Sequence, residues 1–139
     1  MEQSLDLSAL VHAALGANPT ALYLDRLNGQ ILPAPEVASR CGASIVAVQE
    51  RYVRVPAIHS RLRLDDARDF AAIIQEPVLR ARVEKILHGP RAPWAFEREL
   101  SRWPDIAISW RAWELSCTTA RILGWLGRVG MPFNYPTYL

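Results

Sequence analysis

Side chains that could act as nucleophiles or general bases are few and lie far apart in the sequence. The three histidines are His12, His59 and His88, and the two cysteines are Cys41 and Cys117. Nucleophilic catalysis requires a serine or cysteine within hydrogen-bonding reach of an oriented base. Cys41 and His59 are the one pairing to consider, but no motif surrounds either residue. We therefore interpret Cys41 as an incidental thiol.

Three aspartates at Asp65, Asp66 and Asp69 could supply paired carboxylates for acid–base catalysis. The same residues suit the beginning of a helix, where a carboxylate accepts backbone N–H groups and interacts with the helix dipole. We favour that structural role, with Asp65 or Asp66 as the cap. An enzyme that uses Cys41 or these aspartates stays an alternative hypothesis. The sequence has no glycine-rich phosphate loop and no metal-ligand spacing, so we predict no cofactor and no metal.

Basic side chains are almost all arginine: fifteen of the sixteen are Arg, and Lys85 is the single lysine. The formal net charge is only +2, which does not by itself indicate a nucleic-acid partner. Stacking of bases on Trp94 next to a basic surface would nevertheless suit a nucleic acid. A nucleic-acid-binding protein is therefore a second alternative hypothesis. Its basic surface would consist of Arg54, Arg91, Arg98 and Arg102.

Aromatic residues and arginines outside the apolar stripes favour a protein-binding role. Trp, Tyr and Arg dominate the energetics of protein–protein interfaces. We predict six binding residues on this basis, namely Trp94, Arg98, Arg102, Trp125, Tyr135 and Tyr138.

Length and composition are those of an ordinary globular protein. The chain has 139 residues, of which 50% are hydrophobic and 22% are charged. We predict a single domain over residues 1–131 and an aromatic tail over 132–139. The sequence has no run of about 18 apolar residues, so we predict no membrane span. Because the N-terminus is acidic, we predict no secretory signal and a cytoplasmic location.

A short antiparallel sheet is predicted in the first half of the chain. Residues 21–33 contain two extended runs joined by Asn28-Gly29, which supplies the left-handed conformations of a tight turn. Residues 52–56 alternate apolar and polar side chains and predict a third strand. The segment 36–51 fits either a helix or a strand, and both alternatives stay open.

Helices are predicted at the N-terminus and throughout the second half. Residues 5–16 have apolar residues at helical spacing, and Asp6 can accept backbone N–H groups at the start of this helix. A further helix begins near Asp65. Pro77 suits the first turn of the next helix, and the helix dipole there favours the negative charge of Glu76. Gly89 suits the left-handed C-terminal position of that helix, and Pro93 suits the start of another. The predicted inward residues of these helices are Ala67, Phe70, Ala71, Ile74, Leu79, Val83, Ile86, Leu87, Phe96, Leu100 and Trp103.

The last predicted helix, about 105–128, is apolar on two nearly opposite faces. One face consists of Ile106, Trp110, Trp113, Cys117, Ala120 and Gly124. The other consists of Ile108, Leu115, Ile122, Leu126 and Val129. A helix with two apolar faces must be covered on both. It is therefore either the central helix of the domain or the site of a homodimer through the second face.

Several motifs occur together in an order that resembles a known family. They include Tyr23-Leu24-Asp25, an Ala-Phe segment at Phe96, the pair Trp110 and Trp113, and Trp125-Leu126. This chain resembles uncharacterised protein family 0158, a bacterial family of small soluble proteins, over roughly residues 5–131. The resemblance implies an α+β fold and no particular activity. The family's second glycine and a lysine are replaced here, by Arg91 and by Glu97.

The sequence thus predicts an α+β protein in which the hairpin 21–33 and the strand 52–56 pack on four to five helices. Its predicted function is that of a non-enzymatic bacterial accessory or regulatory protein. It would act by binding another protein or a second copy of itself.

Overall fold

A computed structural model of the chain describes residues 5–16, 20–41, 50–90 and 92–130. Its fold is α+β, as predicted. The chain divides into two compact units. Met1–Ala57 together with Thr118–Leu139 forms the first, which we call the sheet unit. Ile58–Cys117 forms the second, which we call the helical unit.

Six helices and three strands occur in the described ranges. The helices are α1 (Leu7–Leu15), α2 (Ala34–Cys41), α3 (Ser60–Ala72), α4 (Pro77–Leu87), α5 (Ala92–Leu100) and α6 (Pro104–Arg128). The strands are β1 (Leu22–Asp25), β2 (Ile31–Pro33) and β3 (Tyr52–Arg54). None of these helices combines the length and the hydropathy that a membrane-spanning segment requires.

The sheet has the strand order β2-β1-β3, and both pairings are antiparallel, which confirms the predicted hairpin and third strand. Gly29 adopts a φ of +76° in the connection between β1 and β2, a conformation that glycine reaches without steric cost. Asn28 contributes differently from our expectation, because no described residue other than glycine has a positive φ. Its side-chain oxygen instead accepts a hydrogen bond from the Gln30 N–H at 2.9 Å.

Of the helices in the sheet unit, α1 follows from a local signal, whereas α2 covers part of the segment that the sequence left open. The Asp6 carboxylate caps α1 by accepting the Ala9 N–H at 3.0 Å, as the sequence indicated. The ambiguous segment begins as a helix: α2 continues to Cys41, and residues 42–49 lie outside the described part. Buried Val37 of α2 packs with Leu32 and Tyr52 of the sheet.

In the helical unit, the predicted start of α3 is wrong. The helix begins at Ser60, upstream of the aspartates, and His59 in the cap position makes no side-chain capping bond. Asp65, Asp66 and Asp69 therefore lie inside the helix. An apolar stripe that continues toward the N-terminus through Leu64 explains the earlier start, because burial of one helix face outweighs the weak preference of aspartate for caps.

The start of α4 agrees with the prediction, whereas its end does not. The Glu76 carboxylate accepts the Leu79 N–H at 2.7 Å and the Val78 N–H at 3.3 Å, immediately before Pro77. Gly89 does not adopt the left-handed conformation predicted for it. Among the described glycines, a positive φ occurs at Gly29 and Gly130. The helix ends instead with the Gly89 N–H bonded to the Ile86 carbonyl at 2.9 Å.

The core of the helical unit is formed by α3, α4, α5 and the first half of α6. Its buried residues are Ala67, Phe70, Ala71, Ile74, Leu79, Val83, Leu87, Phe96, Leu100 and Trp110. Most of them were predicted to point inward. Trp110 meets Phe96 edge to face, with ring centroids 4.9 Å apart, and lies 5.5 Å from Phe70.

The two apolar faces of α6 are buried one after the other along the helix. In its first half, Trp110 is buried in the helical unit, whereas Ile108 on the opposite face is 65% exposed. In its second half, which belongs to the sheet unit, Ile122 and Leu126 are fully buried and Gly124 is exposed. Each half therefore has one covered face, and of the second face only Ile108 and Leu115 are exposed.

Candidate binding pocket

A pocket of about 240 Å³ opens in the helical unit. Its lining residues come from all four helices of that unit: Arg63, Leu64 and Ala67 from α3, Leu87 from α4, Trp94, Phe96 and Glu97 from α5, and Trp110 and Glu114 from α6. The floor is apolar, and the charged groups are one guanidinium and two carboxylates. Such a combination of an apolar wall with a few polar groups is typical of ligand sites.

Helical periodicity places the lining residues in pairs. Trp110 and Glu114 are four residues apart on α6, so their side chains share one face of the helix. Trp94 and Glu97 are three residues apart on α5 and likewise share a face. Phe96 lies between them in sequence and turns into the core, where it is 1% exposed, whereas Trp94 is 60% exposed.

Burial and neighbouring carboxylates both act on Glu114 in the pocket. Burial raises the pKa of Glu114, and the neighbouring Glu97 carboxylate raises that pKa further. The Arg63 guanidinium lowers the pKa of Glu114, and Asp66 raises it, with a net shift upward. No hydrogen bond from a described residue contributes to this balance. Glu114 is thus a desolvated carboxyl in a region of negative potential.

Three of the predicted binding residues lie on or beside α5. The Arg98 guanidinium lies over the Trp94 ring, 5.0 Å from its centroid. Arg102 lies 3.8 Å from the buried carboxylate of Glu99, which Arg82 of α4 also approaches, to 3.2 Å. Trp94 lines the pocket, whereas Arg98, which contacts the Trp94 ring, and Arg102, which contacts Glu99, are not among its lining residues.

Two further candidates in the described part of the chain, Trp125 and Arg54, do not line this pocket. Trp125 is half-buried in the part of α6 that belongs to the sheet unit. Arg54 is exposed on β3 of the sheet unit. Arg91, Tyr135 and Tyr138 lie outside the described residues.

The residues considered for catalysis lie on or next to two helices, α2 and α3. Cys41 ends α2 in the sheet unit, and His59 is exposed ahead of α3 in the helical unit. Asp65 and Asp69 are exposed, whereas Asp66 is buried. Within the described part of the chain, no group of three or more His, Cys, Asp or Glu residues could hold a metal ion.

Sequence reasoning missed Glu97 and Glu114 as members of one site. Glu97 was noted only as an interruption of the arginines and as a departure from the family pattern. The signal for Glu114 was available, because it lies four residues after Trp110 on a stripe that faces the core. The pairing of the two carboxylates was not available, because α5 and α6 meet only through tertiary packing.

The chain matches no known protein family, no curated protein and no solved structure. The resemblance to family 0158 therefore stays a prediction.

Proposed function

We propose that this chain is a non-enzymatic interaction protein that binds a segment of another protein through the pocket of the helical unit. The observation that carries the proposal is Trp94, a tryptophan that is 60% exposed at a pocket whose floor is formed by buried aromatic and aliphatic side chains. Leaving a large aromatic side chain in water forgoes the free energy of burying it. A binding partner that covers it recovers that free energy.

The same site favours a protein over a nucleic acid as the partner. Two of the three charged pocket residues are carboxylates, which repel phosphate. Arg98 and Arg102 are engaged with Trp94 and Glu99, so binding a phosphate would compete with existing contacts. The proposed role is that of an accessory or regulatory protein of the bacterial cytoplasm.

A different protein is a better partner than a second copy joined through the second face of α6. Ile122 and Leu126 of that face are buried within the chain, which leaves Ile108 and Leu115 as its exposed apolar side chains. Two side chains cover far less than the roughly 800 Å² per partner of a standard interface.

Selection from a library of random peptides displayed on phage tests this proposal. We expect the immobilised protein to enrich a convergent peptide motif, and we expect Trp94→Ala to reduce binding of the selected peptides by about tenfold or more. Ile73→Ala is a matched control, because Ile73 is also a large apolar side chain, 57% exposed, in the helical unit, and it does not line the pocket. Peptides should bind this control as tightly as the unchanged protein.

Two outcomes would contradict the proposal. One is a selection that yields no convergent motif from the unchanged protein. The other is a motif whose binding is the same for Trp94→Ala as for Ile73→Ala, which would place the interaction elsewhere on the chain.

A further inference from the structure

We infer that the pocket holds the cationic end of a lysine or arginine side chain from the bound segment. This inference rests on the proposed function and specifies the chemistry that its partner must present. Its basis is the joint presence in one pocket of the Glu97 and Glu114 carboxylates, the exposed indole of Trp94 and an apolar floor.

The size of the pocket fits one side chain. Its volume of about 240 Å³ lies below the roughly 300–1,000 Å³ that is usual for pockets holding drug-sized ligands and cofactors. It is well above the space that a single water molecule needs, roughly 10–15 Å³ on this measure. A single long side chain is the protein group that matches this intermediate size.

The distribution of apolar and charged surface fits an amphipathic side chain. A lysine or arginine has an apolar methylene stem and a charged head, and it usually buries the stem against apolar surface. Leu64, Leu87 and Phe96 provide such a surface in the pocket. Trp94 adds the flat apolar surface of an indole ring, which the Arg98 guanidinium already contacts at 5.0 Å from the ring centroid.

The sign of the local potential favours a cation. Burial raises the pKa of Glu114 most, the carboxylates of Glu97 on α5 and Asp66 on α3 raise it further, and together they outweigh the opposing Arg63 guanidinium. A cation placed beside Glu114 would reverse this imbalance and lower the pKa of that carboxyl. Linkage then requires that binding releases protons around the pH at which Glu114 titrates and strengthens as pH rises.

Titration with three small probes tests the inference without knowledge of the partner. The n-butylammonium ion represents the end of a lysine, n-butanol is its neutral counterpart, and butyrate is an anion of similar length. Nuclear magnetic resonance of the Trp94 and Trp110 indole N–H groups reports binding at the pocket. We expect n-butylammonium to bind at least about tenfold more tightly than n-butanol and butyrate to bind more weakly than both.

Charge-neutralising variants locate the groups responsible. Glu97→Gln and Glu114→Gln should each weaken n-butylammonium binding by about three- to tenfold and leave n-butanol binding unchanged. Glu84→Gln is the matched control, because Glu84 is an exposed carboxylate of α4 in the helical unit that does not line the pocket. Unchanged melting temperatures would show that the variants are folded.

Equal binding of n-butylammonium and n-butanol would overturn the inference, as would glutamine variants that bind the cation like the unchanged protein. Failure of the inference is distinguishable from failure of the proposed function. A convergent peptide motif without a basic residue would refute the cationic ligand and leave the protein-binding role intact. A cation-selective pocket that enriches no peptide would refute the protein-binding role.

Discussion

Two carboxylates of this protein, Asp25 in the sheet unit and Glu114 in the helical unit, are both withdrawn from water. Their pKa values are nevertheless shifted in opposite directions. Burial raises the pKa of Asp25, but hydrogen bonds from Arg51 and from the Leu27 N–H outweigh it, so the net pKa is lowered. Burial raises the pKa of Glu114 as well, and there the carboxylate of Glu97 adds to the shift.

The difference lies in the hydrogen-bonding partners and not in the degree of burial. Asp25 is fully buried, yet its two oxygens accept Arg51 Nε and Nη2 at 3.0 and 2.9 Å in a bidentate pair. Glu114 is partly accessible in a pocket, where burial and the charges of Glu97 and Asp66 raise its pKa and the Arg63 guanidinium lowers it. A carboxylate with matched partners stabilises a fold, whereas one that is desolvated without them is characteristic of a binding or catalytic site.

Of the substitutions that test this comparison, Asp25→Asn should change the free energy of unfolding the most. The substitution keeps the size of the side chain but removes the charge that Arg51 pairs with at the end of β1, beside the turn of the hairpin. We expect the free energy of unfolding to fall by about 2–3 kcal/mol. Because the Arg51 side chain is 43% exposed and can be rehydrated, the cost should stay below that of breaking a fully buried pair. Urea denaturation measures the change.

Glu36→Gln is the control for that variant. Glu36 forms an exposed pair with Arg40 at 3.0 Å on α2 of the same unit, and its loss should cost less than about 0.5 kcal/mol. Similar stabilities of Asp25→Asn and Glu36→Gln would remove the distinction between a matched buried carboxylate and a surface one.

The acid sensitivity of the Asp25 contribution should be the next largest effect. Because the folded-state pKa of Asp25 is lowered, its stabilisation is fully present above the ordinary value of 3.8 and is lost as pH falls through the folded-state pKa. The stability difference between the unchanged protein and Asp25→Asn should therefore be largest near neutral pH and shrink below about pH 4. Urea denaturation at a series of pH values measures it, and a constant difference would contradict the lowered pKa.

Glu114→Gln should have the smallest effect on stability, and the change should be in the opposite direction to that of Asp25→Asn. The folded-state pKa is raised above 4.5, so the carboxyl is most compatible with folding when protonated, and its contribution worsens as pH rises through the folded-state pKa. At neutral pH the neutral glutamine should leave stability unchanged or raise it by less than about 1 kcal/mol. This advantage should vanish below pH 4.5. A destabilisation of more than about 1 kcal/mol at neutral pH would show that Glu114 has a structural role.

Sequence reasoning succeeded where the structure depends on neighbouring residues. The Asn28-Gly29 turn, the Asp6 cap of α1 and the Glu76 cap before Pro77 each involve groups within a few residues of one another. Such interactions are largely independent of the rest of the fold. They placed β1, β2, α1 and the start of α4 correctly, whereas Asn28 acts through its side chain and not through a left-handed backbone.

Sequence reasoning failed where distant packing overrides a local preference. Asp65 and Asp66 are of a residue type that often caps helices, yet α3 begins upstream of them at Ser60, and Asp66 is buried. The two apolar faces of α6 were both visible in the sequence. That the first face is buried in the first half of the helix and the second face in the second half depends on which elements lie alongside each half.

The sequence by itself determined the α+β class, the hairpin with its third strand, and most of the inward-facing residues of α3 to α5. These follow from turn chemistry, capping and periodicity, which act over short distances along the chain. Only the tertiary structure decided that Glu97 and Glu114, seventeen positions apart in the sequence, line one pocket with Trp94. Electrostatic shifts depend on distance through space and on the exclusion of water, and both are set by how the helices pack.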